Sequence, residues 1–355
     1  MTDAENAARQ YEGLPKLLDT AKDIEKKISK KETSYQMVGN YLIEVYTSIS
    51  DAYRDKCSYK KSLKYLKKAM NTCEIMAAIN YEFYGKHFYL TKLKLYSYYH
   101  EIAKNDKKAD KYLFEGLDAY EKWCEMLPEH YPELAELYYN FAILSFWDTK
   151  RALIFKMREF AVYQKLYENE PEKYAVQYVN TCSNAADEYI YRKDYDKAEQ
   201  ILKECLTITR KLAEEDYEKY KNQLAWANKD LGLFFLLRSR NTEAQPLLTD
   251  AEKIFKELYE SEPENIYALS LLISVTESLA SSYCNDKQKC KKYFEKAFEL
   301  IQKGIEKEPE EYTFRLARSY VRYGEAIGDK EFVNKGKELE KQCELRLLEE
   351  TLEEK

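Results

Sequence analysis

EPEKYAVQYVNTCSNAADEYIYRKDYDKAEQILKECLTITRKLAEEDYEK, running from Glu170 to Lys219, holds two apolar stripes at helical spacing. The first is Val176, Val179, Cys182, Ala185, Ala186 and Tyr189. The second is Tyr195, Ala198, Ile201, Leu202, Cys205 and Ile208, and Arg192-Lys193-Asp194 lies between them. Residues three and four apart share one face of a helix, so each stripe marks an amphipathic helix and the polar break marks the turn of a helical hairpin. Neither helix can bury its stripe alone, but stacked hairpins can.

The tripeptide that opens this stretch recurs. Glu170-Pro171-Glu172 is followed by Glu262-Pro263-Glu264 and Glu308-Pro309-Glu310, with the prolines 92 and then 46 residues apart. A tyrosine follows each, at Tyr174, Tyr267 and Tyr312, and Tyr220 fills the slot between the first two. A fixed period of about 46 residues is the signature of a repeat array, and arrays present long surfaces that bind more often than they catalyse.

Composition agrees with an all-α chain. Of 355 residues, 45% are hydrophobic and 34% charged, while only 9 Gly and 7 Pro leave little turn chemistry for a many-stranded fold. The 34 tyrosines read as packing residues, since a tyrosine ring fills space between helices while its hydroxyl reaches polar partners. A net charge of -6 argues against a general nucleic-acid binder, which needs a basic face. Neither a signal peptide nor an apolar run of membrane-spanning length is visible, and the eight cysteines are scattered without a Cys-x-x-Cys pair. Reduced thiols and a cytoplasmic location follow as expectations, with no membrane partner.

The stripes and their small residues resemble the tetratricopeptide repeat (TPR). In the hairpin quoted above, Ala186, Tyr189, Ala198, Leu202 and Cys205 fall at the family's small and large core positions. The next hairpin supplies Leu231-Gly232, Phe235, Ala244, Leu248 and Ala251, and the first supplies Ile49-Ser50, Tyr53, Ser62, Leu66 and Ala69. The second matches through Ala109, Leu113 and Gly116. The period exceeds that usual for the family, and long second helices, Lys197 to Glu214 and Glu243 to Glu260, would carry the excess. That looks like the long-helix prokaryotic arrays related to kinesin light chain. The resemblance implies a right-handed α-α superhelix of about seven hairpins. The expected organisation is a capping helix over 1–33, bent near Gly13-Leu14-Pro15, an array over 34–330, and a capping helix with an acidic tail over 331–355. Pro246 is expected within the first turn after a cap at Thr242.

The same resemblance implies a concave groove lined by the first helix of each hairpin. It places Asn180, Ser183, Asn184 and Asp187 there from one hairpin, and Trp226, Lys229 and Asp230 from the next, with Asn140 on the same row. Asparagine amides both donate and accept, so such a row suits a peptide backbone of any sequence; Trp226 offers a flat apolar anchor, and Asp230 accepts only. Arg315, Arg318 and Arg322 share one helix face and suit a carboxylate or phosphate on a partner, unless nearby glutamates occupy them. His87, His100 and His130 have no metal or nucleophile partner at a useful spacing, Cys284 and Cys290 have no second pair, and no glycines have phosphate-loop spacing. The expectation is a non-catalytic scaffold, without metal or cofactor, that binds a peptide or partner protein. The alternative is a peptide-gated regulator acting on a partner protein.

Overall fold

The computed structural model describes residues 3–145 and 147–353, with side chains described over 13–145 and 147–345. Among the described residues every regular element is helical, and no strand is present. Two compact units divide the chain, Met1–Leu137 and Tyr138–Lys355.

The first unit contains α1 (Asp3–Ser29), α2 (Tyr35–Asp55), α3 (Tyr59–Ile79), α4 (Tyr81–Ser97), which ends in a π-helical turn over Tyr98–Ile102, and α5 (Asp106–Met126). The expected bend in α1 is not a break. The helix continues through Pro15, because the one backbone bond that proline removes is offset where Leu14, Ala21 and Ile24 bury against Leu42, Val45, Tyr46 and Ile49 of α2. Glu25 then ties three helices together, accepting from the Tyr46 hydroxyl at 2.6 Å and from the Lys68 ammonium at 2.5 Å. Further along, aromatic rings fill the interior. Tyr89 stacks on Tyr120 at 4.6 Å between centroids, and Gly85 lets the Trp123 indole lie against the α4 backbone, 2.5 Å from where a Cβ would stand.

After α6 (Tyr131–Leu144), the second unit continues with α7 (Thr149–Asn169), α8 (Pro171–Tyr191), α9 (Tyr195–Glu215), α10 (Tyr217–Leu237) and α11 (Asn241–Ser261). It closes with α12 (Ile266–Ser282), α13 (Lys287–Ile305), α14 (Pro309–Ile327) and α15 (Lys330–Glu353). From α7 onward consecutive helices pack pairwise, and Ala186, Ala198, Leu202, Leu231, Phe235, Ala244, Leu248 and Ala251 belong to one buried core. The buried positions are those that the tetratricopeptide resemblance leads one to expect. The extra length of the hairpins is not confined to the second helix: α8, α9, α10 and α11 are each 21 residues long.

Hairpin turns share one backbone device. Cys57, Lys193, Ser239 and Gly328 take left-handed φ values of 53°, 63°, 58° and 78°. The next residue's N–H then bonds the carbonyl five residues back: Ser58 to Tyr53, Asp194 to Tyr189, Arg240 to Phe235 and Asp329 to Gly324, all at 2.8 Å. This closes the carbonyl end of each first helix. At the other end, Asn80, Asn105, Asp148, Asp194, Asp216, Asn265 and Asp286 each accept the backbone N–H three residues on, worth about 1 kcal/mol per cap.

Two local expectations fail for reasons of register. Pro171 and Pro309 open α8 and α14, and the tyrosine three residues later is buried in each, Tyr174 and Tyr312. Pro263 instead lies before the Asn265 cap, so Leu269 takes the buried place and Tyr267 points outward, 64% exposed. Pro246 lies past the first turn, since α11 starts at Asn241 rather than after Thr242. Most tyrosines do pack as their composition suggests. Tyr120, Tyr178 and Tyr312 are almost fully buried, with hydroxyls on Glu133, Glu204 and the Ile266 carbonyl at 2.7, 3.3 and 3.2 Å.

Candidate functional site

α8 and α10 are the first helices of adjacent hairpins, and together with Leu202, Cys205 and Thr209 of α9 they line two adjoining cavities of about 380 and about 400 Å³. Asn180, Ser183, Trp226 and Asp230 border the first, together with Asn222 and Gln223. Ser183, Asp187, Lys229 and Asp230 border the second, over an apolar floor that includes Ile190, Leu233 and Leu237. Of the residues expected on this face from α8 and α10, Asn180, Ser183, Asp187, Trp226, Lys229 and Asp230 come together, while Asn184 borders neither cavity and faces Lys156 of α7 instead.

The polar groups are not equally available. Lys156 of α7 donates to the Asn184 Oδ1 at 3.0 Å, which leaves that amide its own N–H donors. Lys229 donates to Asp230 at 2.9 Å, and its ammonium sits 3.9 Å from the Trp226 ring centroid. Trp226 meets Phe255 edge-on at 6.1 Å. Asp230 is thus an occupied acceptor in a nearly buried pair, with side chains 9% and 15% exposed for Lys229 and Asp230. The Asp187 carboxyl is held above the usual carboxylate range by burial and then by the charge of Asp230, against the pull of Lys229 and Lys156. Asn140 is exposed on α6 and is not among the residues lining these cavities.

The three arginines line a separate cavity of about 660 Å³ with Glu277, Phe314 and Glu340. Arg315 donates to the Ser270 hydroxyl at 2.8 Å and carbonyl at 3.2 Å, and lies 3.5 Å from Glu277. Arg322 also reaches Glu277 at 3.5 Å, and Arg318 lies 3.9 Å from Glu340. The glutamates that hold this face are therefore Glu277 of α12 and Glu340 of α15, not Glu310 or Glu325 nearby in sequence. Glu277 is 5% exposed, and it is the one charged residue between Ile266 and Ser282 of α12. That isolation was the available signal.

A family profile described as the plant-specific mitochondrial import receptor subunit TOM20 matches residues 199–322. No curated protein matches the chain. Among solved structures, BtubC (BKLC) from P. vanneervenii is similar at 14% identity and TM-score 0.41, covering 73% of this chain and 90% of its own. The apo form of RapI is similar at 13% identity and TM-score 0.43, with 74% and 99% covered. A STAND signal-transduction ATPase with a tetratricopeptide repeat sensor, PH0952 from Pyrococcus horikoshii, is similar at 15% identity and TM-score 0.46, with 94% and 47% covered.

Proposed function

We propose that this chain is a non-catalytic scaffold that holds a peptide segment of a partner protein in the groove between α8 and α10. The observation that carries the proposal is the pair of adjoining cavities, in which amides and carboxylates alternate with Trp226, Ile190, Leu233 and Leu237. Apolar walls give a bound segment its burial, and a few fixed polar groups give it orientation. A preformed helical groove costs the receptor little ordering on binding. The import-receptor description of the family matching residues 199–322 is in line with a role in holding other proteins. The scattered, unbridged cysteines favour a reducing compartment, and we place the protein in the cytoplasm on that ground.

The test is affinity capture with the full chain followed by mass spectrometry. Asn180→Ala/Asn222→Ala removes two amides that border the groove, from helices that tolerate alanine well. Partner yield should fall at least about tenfold while the helical circular dichroism is unchanged, in keeping with the loss of two or more hydrogen bonds. Lys203→Ala, on an exposed residue of α9 paired with Glu199, should change nothing. Equal recovery by the groove variant and wild type would overturn the proposal.

A further inference from the structure

We infer that the segment held by this groove carries a lysine or arginine flanked by large apolar side chains, the basic group meeting Asp187 and the apolar ones lying along the ends of α8 and α10. The inference rests on the groove reading above and adds the chemistry of the occupant. Four groups set the charge of the second cavity, and three of them are already engaged. Lys229 is held by Asp230 and by the face of Trp226, so its ammonium is fixed between them. Lys156 is turned to the Asn184 amide. Asp230 has Lys229. Asp187 alone has no ion pair or side-chain hydrogen bond among the described residues, although it borders the cavity and stands close enough to Asp230 to feel its charge. Asp187 is exposed at the cavity's edge, partly desolvated by the helices around it and repelled by Asp230, and an arriving cation offsets that repulsion.

The apolar half of the inference has its own support. The last residues of three successive first helices, Leu144 on α6, Tyr191 on α8 and Leu237 on α10, are 77%, 80% and 58% exposed. Scattered apolar residues on a surface need no explanation, but a large apolar side chain recurs at the end of three successive first helices, and we read the three as one ridge. Leu237 belongs to both the ridge and the cavity floor beside Asp187, so one segment can satisfy the charge and the ridge together. An acidic segment would add a third carboxylate to Asp187 and Asp230, and it is disfavoured for that reason.

The experiment measures fluorescence anisotropy of the full chain with three labelled peptide pools. Their fixed centres are Leu-Lys-Leu, Leu-Gln-Leu and Leu-Glu-Leu, with random flanks. The lysine pool should bind wild type about tenfold more tightly than the glutamate pool, the order expected of a partly desolvated charge pair. Asp187→Asn, close to isosteric, should shrink that preference below about twofold, and Asp187→Lys should invert it. If the glutamate pool binds wild type as well as the lysine pool, while Asn180→Ala/Asn222→Ala still weakens both, the basic occupant is excluded and the groove reading stands. If Asp187→Asn leaves the preference intact, the assignment to Asp187 is wrong. If no pool shows binding that the asparagine variant weakens, the groove reading fails and takes this inference with it.

Discussion

The outward face of α8 and α10 and the face of α14 read alike in the sequence, each a row of polar side chains at helical spacing. Their chemistry differs because of what the neighbouring helix places opposite. Behind α14, α12 buries a carboxylate, Glu277, within 3.5 Å of both Arg315 and Arg322. Two of the three guanidiniums are thereby engaged by the array itself, and Ser270 fixes Arg315 further. Behind α8, the lysine of α7 is spent on an amide, and Asp187 keeps an unpaired carboxylate. A charged helix face is therefore a poor guide to binding until the facing helix is known. The groove is expected to act on partners, and the arginine face to hold α12 and α14 together.

The largest effect separates those roles. Glu277→Ala leaves Arg315, a residue only 22% exposed, without its carboxylate, and should lower stability by about 3 kcal/mol in urea unfolding. It should leave peptide affinity in the groove unchanged. A large loss of affinity with little loss of stability would reverse the comparison.

Next come the close contacts under each face. A Cβ on Gly232 of α10 would stand 2.8 Å from Cγ and Cδ2 of the fully buried Leu248, a side chain that would have to shift within the core. A Cβ on Gly336 of α15 would stand 2.5 Å from the Ala317 carbonyl oxygen and 2.9 Å from the Val321 nitrogen, and backbone cannot yield in that way. Gly336→Ala should cost about 2 kcal/mol, whereas Gly232→Ala should cost about 1 kcal/mol, since a side chain yields more easily than backbone and helix propensity offsets part of the contact. Melting temperatures of the two variants check the difference, and equal losses would show that both helix pairs are equally close-packed.

The smallest effect compares two buried carboxylates. Glu277 has two guanidiniums; Glu159 of α7 is pushed up to about 7 by burial, and Lys156 opposes this only in part. Below the unfolded carboxylate range both states hold the proton and Glu159 costs nothing. As pH rises toward 7 the unfolded chain gives the proton up first, so stability falls, and the loss is complete above 7. Glu159→Gln should therefore match wild type near pH 4 and exceed it by about 1 kcal/mol at pH 8. A gap independent of pH would assign the effect to packing instead.

Much of the fold was legible because it depends on short-range pattern. The stripes at Val176–Tyr189 and Tyr195–Ile208, the polar break at Arg192–Asp194 and the asparagine and aspartate caps are all set within a few residues of one another. Register across the array was less legible. The shift at α12 comes from Asn265 capping two residues after Pro263, and the tripeptide that marks the other two helix starts conceals it. The groove face of α8 and α10 could be placed because those two hairpins keep a 46-residue offset from Pro171 to Tyr217. The state of its members could not be read. That Asp230 is already paired, that Asn184 is held by Lys156 and that Asp187 is left over all depend on side chains from neighbouring helices or on one rotamer of Lys229.

The stacking of Lys229 over Trp226 has an optical consequence. The chain has three tryptophans. Trp123 lies face to face with His130 at 4.3 Å in the first unit, and Trp147 is 92% exposed, so neither borders the α8–α10 cavities. Trp226 borders both, with a cation over its ring. Its excited state is sensitive to that charge and to local water, so the emission colour of a Trp123→Phe/Trp147→Phe chain is a reporter of groove occupancy built from the protein's own atoms.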